Sequence, residues 1–221
     1  SLVSSGTRVL PQEGDVTRDG DLDKAVLAAV ESFGRIDMVI ANAGFGVVGS
    51  FEALALDDYR RQFETNVFGV IRTVQAVLPE LKKSGGRLVL LGSVAGHVAL
   101  PNASAYAMSK FAVRALASSL YGELRPHGVS VTLISPGFVA SEIRQVDNRG
   151  GFHADASDPL PAWLLMPSEK AARQIARAAW RRRREEVVTF HGKVIVWVQR
   201  LFPWVFALMA RRGVKGRPEP A

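Results

Sequence analysis

Hydrophobic residues along the chain form short continuous runs that alternate with longer segments in which they recur every three or four positions. A short continuous run predicts a buried β-strand, whereas the three-to-four spacing predicts a helix with one buried face. The runs predict strands at residues 8–12, 36–41, 87–92, 129–135 and 187–190. Strands that alternate with helices are typical of βαβ units, so the pattern predicts an α/β fold with a parallel sheet.

The predicted helices lie between these strands and after them. Residues 21–33 and 57–81 carry apolar side chains close to a 3.6-residue period, and Asp57 is placed to cap the second helix. An alanine-rich helix is predicted over residues 103–125, and another begins at Ser168. Each of these helices therefore has one face suited to packing against the sheet.

Composition narrows the classes of protein that remain. A chain of 221 residues fits one domain with a substantial core, and the absence of cysteine excludes disulfides and thiolate chemistry. The histidines are scattered without ligand-like spacing, so no metal site is expected. The net charge is +7, but the only dense basic run, residues 181–184, is interpreted as a solvated helix end. No nucleic-acid motif accompanies it, and no nucleic-acid partner is expected.

The C-terminal residues 192–212 are strongly apolar but are interrupted by Gln199, Arg200 and Pro203. A membrane-spanning helix needs about 20 apolar residues in succession. Three interpretations stay open: a tail packed on the domain or a dimer partner, peripheral contact with a membrane surface, and a spanning helix. Residues 1–6 lack the pattern of a secretory signal, so we expect a cytoplasmic location, with membrane association of the tail as an open alternative.

Tyr106 and Lys110 are the most chemically suggestive pair in the chain. Four residues apart in a predicted helix, their side chains lie on one face, one turn apart. A tyrosine titrates near pH 10, and a nearby cation favours the phenolate, so the pair predicts a proton donor and acceptor usable nearer neutral pH. Ser93 ends an apolar run thirteen residues earlier and is placed to hold a substrate oxygen. Taken alone, such a pair also arises by chance on helix surfaces.

Other motifs surround the pair in a fixed order. These are Asp15-Val16, Asn42-Ala43-Gly44 after the run at 36–41, Asn66 inside a helical pattern, and Pro136-Gly137 after the run at 129–135. In order and spacing, the chain resembles the short-chain dehydrogenase/reductase family from residue 8 to about residue 190. The resemblance implies a Rossmann-like, doubly wound parallel sheet over residues 1–191, followed by an apolar and basic tail over residues 192–221.

The resemblance also implies catalytic roles for four residues. Tyr106 would exchange a proton with the substrate oxygen as general acid/base, while hydride moves to or from a nicotinamide. Ser93 would orient that oxygen, and Lys110 would lower the tyrosine pKa and bind the nicotinamide ribose. Asn66 would hold a water that links Lys110 to solvent. A local kink in the helix is the other interpretation of Asn66.

The cofactor implied by the resemblance is NAD or NADP, with NADP slightly favoured. The expected cofactor-binding residues are Asp15, Val16, Asn42, Ala43, Gly44, Tyr106, Lys110, Pro136, Gly137, Val139 and Ser141. Asp15 would accept a hydrogen bond from the adenine amino group. Ser141 stands where the family usually has threonine, and its hydroxyl is expected to reach the same cofactor groups.

The front of the chain departs from the family. The glycine-rich loop that receives the pyrophosphate, and the strand that selects NAD or NADP, are not found before Asp15. We therefore expect an N-terminally incomplete sheet and a sequence that is part of a longer chain. A natural truncation, with another partner filling the gap, is the alternative. Gly44, Gly46 and Gly49 match a G-x-G-x-x-G phosphate loop, but the long helical pattern after them disfavours that interpretation. Gly46 and Gly49 are instead expected to border the substrate entrance.

The resulting hypothesis is an enzyme that interconverts an apolar ketone and a secondary alcohol. Residues 138–166 form a long irregular segment rich in apolar side chains, which by resemblance folds over the substrate; core packing is the alternative. The resemblance also implies a homodimer or homotetramer that pairs the helices at residues 57–81 and 103–125. The competing hypothesis is a catalytically silent binding or scaffold protein, motivated by the missing phosphate loop.

Overall fold

The structure of the protein is a computed structural model, which describes residues 7–155 and 160–211. Within this part of the chain, four parallel strands form one sheet in the order β1-β2-β3-β4. They are β1 (Met38–Ala41), β2 (Arg87–Leu91), β3 (Ser130–Ser135) and β4 (Glu185–Val187). The predicted α/β fold with a parallel sheet is confirmed.

Helices connect the strands and cover the sheet. They are α1 (Asp21–Phe33), α2 (Leu56–Phe63), a π-helix (Glu64–Phe68), α3 (Gly69–Ser84), α4 (Ser104–Leu124), α5 (Ser168–Trp180), α6 (Phe190–Leu201) and α7 (Pro203–Arg211). Alternate residues of a strand point to opposite faces of a sheet. Accordingly, Leu88 and Leu90 belong to the core beneath α3 and α4, whereas Val89 belongs to the core beneath α5. Helices therefore lie on both faces, as the doubly wound prediction requires.

The predicted strand at residues 8–12 is not formed. The segment is irregular, and Val9 and Leu10 are 42% and 41% exposed. A strand needs a neighbour for its backbone hydrogen bonds, and no described residue pairs with this segment or with the free edge of β1. Ile40 of β1 is accordingly 46% exposed.

The helix predicted at residues 57–81 is divided into three parts. A π-helical turn, Glu64–Phe68, separates α2 from α3 and contains the buried Asn66. The expectation that Asp57 caps the helix is wrong, because the helix begins one residue earlier. The Asp58 carboxylate instead accepts a hydrogen bond from the Ala55 amide at 2.8 Å. A carboxylate there offsets one of the unpaired amides at the helix N-terminus.

The last strand also differs from its predicted bounds. It covers Glu185–Val187 instead of residues 187–190, because Thr189 caps α6. The Thr189 hydroxyl accepts a hydrogen bond from the Gly192 amide at 3.1 Å, which starts the helix at Phe190. In the described part of the chain, no helix is long and apolar enough to cross a membrane. Residues 156–159 and 212–221 of the predicted loop and tail lie outside the described residues.

Candidate active site

Three of the four predicted catalytic residues lie together at the carboxyl end of β2. Ser93 follows this strand, and Tyr106 and Lys110 occupy the first two turns of α4. The Lys110 Nζ atom lies 5.7 Å from the centroid of the Tyr106 ring and donates a hydrogen bond to the Leu91 carbonyl oxygen at 3.0 Å. The Ser93 side chain is within hydrogen-bonding reach of the Tyr106 phenol. The lysine thus joins α4 to the strand end that carries the serine.

Burial controls the protonation of this pair. It raises the pKa of Tyr106, because an ionised phenol is poorly solvated there; a hydrogen bond with Ser93 and the charge of Arg144 lower that pKa in part. Burial also lowers the pKa of Lys110 to about 8. The expectation of a lowered phenol pKa is therefore not met. At neutral pH this arrangement holds Tyr106 as a protonated hydrogen-bond donor beside a cationic lysine.

Asn66 is almost fully buried in the π-helix. Its Oδ1 accepts a hydrogen bond from the Phe45 amide at 3.1 Å, and its Nδ2 donates to the Phe45 carbonyl at 2.9 Å. Nδ2 also lies 3.3 Å from the hydroxyl of Ser109, which precedes Lys110 in the chain. A π-turn inserts one extra residue and turns its side chain to a new direction, a feature frequent at functional sites. Asn66 therefore holds the loop after β1 beside α4, next in sequence to the lysine.

Gln62 holds the same loop and was not predicted. Fully buried, it accepts a hydrogen bond from the Val47 amide at 2.6 Å and donates to the Phe45 carbonyl at 3.0 Å. The signal available in the sequence is its spacing of four residues from Asn66, which places two amides on one helix face. Because the Phe45 and Val47 amides are occupied by side chains, this glycine-containing loop is not organised to receive phosphate. A Cβ atom at Gly46 would lie 3.6 Å from the Tyr106 ring, so the loop borders the tyrosine.

The residues predicted for the adenine side of a cofactor lie at the carboxyl end of β1. Val16, Asn42 and Ala43 line a cavity of about 170 Å³ beside the exposed edge of this strand. Gly44 follows them, and a Cβ atom there would lie 2.9 Å from the Asn66 Oδ1 atom. Glycine at position 44 therefore allows the loop to pack closely against the Asn66 side chain.

Asp15 directly precedes Val16, which lines this cavity. Its Oδ1 atom accepts hydrogen bonds from the amide and the hydroxyl of Thr17, both at 2.8 Å, which lower the pKa of the carboxyl. Its Oδ2 atom lies 3.7 Å from the Arg18 guanidinium. The carboxylate is thus ionised and stabilises its own turn, and its side chain remains 44% exposed.

The predicted nicotinamide side is the loop after β3. The Pro136 carbonyl accepts a hydrogen bond from the Val94 amide at 2.9 Å, which ties this loop to the turn that begins at Ser93. Val139 forms a parallel bridge with Met166, and Ser141 starts a short 3-10 helix without a side-chain capping bond. A Cβ atom at Gly137 would overlap the Thr189 hydroxyl, so this position requires glycine. The loop after β3 therefore lies beside the Ser93 turn, and the loop after β1 lies beside Tyr106.

The site has no metal centre among the residues that the structure describes, where no three His, Cys, Asp or Glu side chains cluster. The polar groups that the structure brings to this strand end are the hydroxyl of Ser93, the phenol of Tyr106 and the ammonium of Lys110. A hydrogen-bond donor, a titratable donor and a buried cation at one strand end can polarise and protonate a carbonyl oxygen.

Known proteins show similarity to this chain at both the sequence and the structural level. A family model described as short chain dehydrogenase matches residues 1–150. An uncharacterized oxidoreductase of Schizosaccharomyces pombe is 31% identical over 175 residues, which are 77% of this chain and 74% of the relative. Human 17-beta-hydroxysteroid dehydrogenase type 1 is 43% identical over 117 residues, which are 52% of this chain and 36% of the human protein.

A solved structure gives the same result for the fold. A short chain dehydrogenase from Burkholderia cenocepacia, determined in complex with NADP, is 26% identical and superimposes with a TM-score of 0.77 over 93% of this chain and 79% of that chain. The resemblance inferred from the sequence motifs is confirmed, together with the Rossmann-like arrangement of parallel strands and helices. The chain belongs to the short-chain dehydrogenase/reductase family of NAD(P)-dependent oxidoreductases.

Proposed function

We propose that the protein interconverts an apolar ketone and the corresponding secondary alcohol. The observation that carries this proposal is the meeting of Ser93, Tyr106 and Lys110 at the carboxyl end of β2, with Lys110 bonded to the Leu91 carbonyl. Ligands of open α/β sheets bind outside the carboxyl ends of the strands. These three side chains therefore stand where a substrate carbonyl would enter.

Each residue has a separate task in carbonyl reduction. Ser93 donates a hydrogen bond that orients the carbonyl oxygen, and Tyr106, protonated because its pKa is raised, gives that oxygen its proton. The charge of Lys110 stabilises the phenolate that remains, because the attraction between opposite charges is stronger where water is excluded. A bound nicotinamide cofactor supplies or removes the hydride. In alcohol oxidation the same residues act in the reverse order.

The residues around the site fit a dinucleotide, and we favour NADP slightly over NAD. Asp15, Val16, Asn42, Ala43 and Gly44 would hold the adenosine part, where the cavity beside β1 leaves room. Residues 136–141 would hold the nicotinamide part, together with Tyr106 and Lys110. The structure of the Burkholderia cenocepacia relative was determined in complex with NADP, which supports the preference for NADP over NAD.

The substrate is proposed to have a sizeable apolar part. In the segment at residues 138–166, Trp163 is 83% exposed and Phe152 is 55% exposed. Core packing, the alternative interpretation of this segment, does not account for these two exposed rings. The human relative is named for a hydroxysteroid, a large apolar secondary alcohol, which agrees with this substrate class.

A homodimer or homotetramer is proposed to form through the helices beside the site. A surface depression of about 360 Å³ lies between the π-helix region and α4, lined by Tyr59, Arg60, Phe63, Glu64, Phe68 and Met108. Phe68, Met108 and Phe111 are exposed large apolar side chains on this face. A second copy of the chain that packs its own helices here would remove them from water.

We also propose that residues 1–191 form the catalytic domain and that the tail at residues 192–212 contacts a membrane surface peripherally. Phe190, Val194, Trp197 and Leu201 lie on one face of α6 and are exposed. The charged residues between positions 190 and 211 are all basic. An apolar helix face with basic flanks is the composition of helices that lie in the interface of an anionic bilayer.

The central experiment replaces Tyr106 with phenylalanine and measures reduction of an aryl ketone with NADPH and NADH. We expect turnover to fall by at least about 100-fold while the fold is retained, because the phenol proton is lost. Substantial remaining turnover would refute the mechanism. Titration of the wild-type chain with both cofactors, followed by nicotinamide fluorescence, separates the enzyme from a silent binding protein; absence of binding to either would support the silent alternative.

A further inference from the structure

His191, in the first turn of α6, contacts the loop between β3 and the irregular segment. Its Nε2 atom accepts a hydrogen bond from the Phe138 amide at 2.9 Å. Its ring stacks on the Phe138 ring, with a centroid distance of 5.1 Å and an interplanar angle of 25°. One side chain of α6 thus fixes both the backbone and the ring of Phe138.

The direction of these bonds determines the protonation of the imidazole. A backbone amide can only donate, so Nε2 carries the lone pair and Nδ1 carries the proton of the neutral ring. The Thr189 hydroxyl, 3.1 Å from Nε2, accepts a bond from the Gly192 amide and can share its own proton with the ring. Burial lowers the pKa of His191, which is consistent with a neutral ring.

The loop held by His191 also holds the turn of Ser93. Pro136, two residues before Phe138, accepts a hydrogen bond from the Val94 amide at 2.9 Å. A Cβ atom at Gly192 would lie 2.9 Å from the Val94 side chain, so α6 itself approaches the same turn closely. A continuous set of contacts therefore runs from His191 through Phe138 and Pro136 to the residue after Ser93.

We propose that His191 is a positioning residue of the active site, which accepts the Phe138 amide hydrogen bond and thereby holds the loop at residues 136–138 against the Ser93 turn. This inference rests on the proposed role of Ser93 in orienting the substrate oxygen. It makes the start of α6 part of the catalytic apparatus, although His191 lies 98 positions after Ser93 in the sequence. A small displacement of a group that orients substrate is sufficient to lower turnover.

The test uses three variants of the full chain. His191→Phe keeps a ring to stack on Phe138 but removes the acceptor, whereas His191→Gln keeps an acceptor near the position of Nε2. His127→Phe alters an exposed histidine far from this loop in sequence and serves as the control. The first readout is amide hydrogen exchange at Phe138 and Val94, resolved by nuclear magnetic resonance of the labelled protein.

We expect exchange at both amides to accelerate about tenfold or more in His191→Phe, and to stay near the wild-type rate in His191→Gln and His127→Phe. Amides in β2 and β3 report whether the fold is intact. If Phe138 exchanges faster but Val94 does not, His191 does not position the Ser93 turn, and the proposal is wrong. If His191→Gln behaves like His191→Phe in a folded protein, acceptance by Nε2 is not the cause.

The second readout is kinetic, with NADPH and an aryl ketone as probes. His191→Phe should lower kcat about tenfold, with rescue in His191→Gln, because the loss concerns the orientation of the reacting oxygen. Unchanged kcat in a variant whose Val94 amide exchanges faster would overturn the catalytic part of the inference. If the wild type neither binds NADPH nor reduces the probe, the proposed function fails, while the exchange result still decides whether His191 positions the Ser93 turn.

Discussion

Lys110 donates a hydrogen bond from its Nζ atom to the Leu91 carbonyl oxygen over 3.0 Å. The lysine is 7% exposed, and this partner is a neutral dipole, not a carboxylate. A dipole compensates less of the lost hydration than an opposite charge does, so burial lowers the lysine pKa to about 8. The buried ammonium, which the proposed mechanism uses, is therefore retained at a cost in stability.

This cost predicts a pH dependence of unfolding. The folded pKa of Lys110, about 8, lies below its ordinary value of 10.5, so the unfolded chain binds more protons between these values. Stability therefore rises with pH across this window, by up to about 3 kcal/mol at about 1.4 kcal/mol per pKa unit. Lys110→Met should lack this rise, whereas the exposed Lys82→Met should keep it. Urea unfolding at pH 7.5, 8.5 and 9.5 tests this; parallel profiles for wild type and Lys110→Met would show that the lysine pKa is not lowered.

Asn66 offers a second prediction, because the chain contains a matched asparagine. Asn66 forms two hydrogen bonds with the backbone of Phe45, and Asn148 forms the same two bonds with the backbone of Val48. Asn66 is buried, whereas Asn148 is partly exposed. In an Asn→Asp change, one carboxylate oxygen faces the backbone carbonyl and the donated bond is lost. We expect Asn66→Asp to lower the free energy of unfolding by about 2–4 kcal/mol and Asn148→Asp by less than about 1 kcal/mol.

Denaturant unfolding at pH 7 measures both changes. Repeating it at pH 5 sharpens the test, since a protonated carboxyl group in the Asn66→Asp variant regains a donor and should recover part of the loss. Equal losses for the two variants would mean that the buried amide of Asn66 contributes no more to the free energy of unfolding than the partly exposed amide of Asn148. In that case the π-helix would position Asn66 without energetic consequence.

The relations that the sequence could reveal are local ones. Tyr106 and Lys110 share a helix face because they are four residues apart, and Ser93 lies at a strand end because an apolar run stops there. The contacts that could not be predicted join distant parts of the chain. Gln62 and Asn66 hold the loop at residues 45–47, a pairing that depends on where the helix crosses the strand end.

Two strands were predicted wrongly from their composition, each for its own physical reason. Residues 8–12 have the composition of a strand but no described neighbour to pair with, so composition alone was insufficient. The strand predicted at residues 187–190 ends early because the Thr189 hydroxyl caps α6. An apolar run of this length does not distinguish a strand from the first turn of a helix. The capping bond of Thr189 makes the end of this run the start of a helix.

Gly137 should not tolerate alanine. A Cβ atom there would overlap the Thr189 hydroxyl and lie 2.6 Å from the His191 Nε2 atom, so the loop or α6 must shift. We expect Gly137→Ala to lower the free energy of unfolding by about 1–3 kcal/mol. Gly122, inside α4 with nothing within 4 Å of an added Cβ atom, is the matched control, and Gly122→Ala should stabilise by up to about 1 kcal/mol. Thermal unfolding distinguishes the two; a neutral Gly137→Ala would show that the contact yields easily.

The proposed dimer face is tested by placing a charge on it. Met108 is exposed and lines the depression near Phe68, so Met108→Asp should bury a carboxylate if a second copy packs there. We expect sedimentation equilibrium to show a dimer or tetramer for the wild type and about a 100-fold weaker association for Met108→Asp. Leu27→Asp, on the similarly exposed surface of α1, should associate as the wild type does. A wild type that is monomeric at micromolar concentration would contradict the proposed interface.

The exposed face of α6 is tested with vesicles of stated composition. Trp197 is 57% exposed in this face, and no acidic residue occurs between positions 190 and 211. If the face enters the headgroup region, flotation should be stronger with phosphatidylserine-containing vesicles than with pure phosphatidylcholine, and should weaken as salt increases. Trp197→Gln should reduce flotation about tenfold, because the amphipathic ring no longer enters the interface, whereas Trp180→Gln, a similarly exposed tryptophan on α5, should not. Equal flotation of the two variants would exclude this face of α6 as the membrane contact. If Trp197→Gln instead loses self-association in sedimentation, α6 belongs to an interface between two copies of the chain.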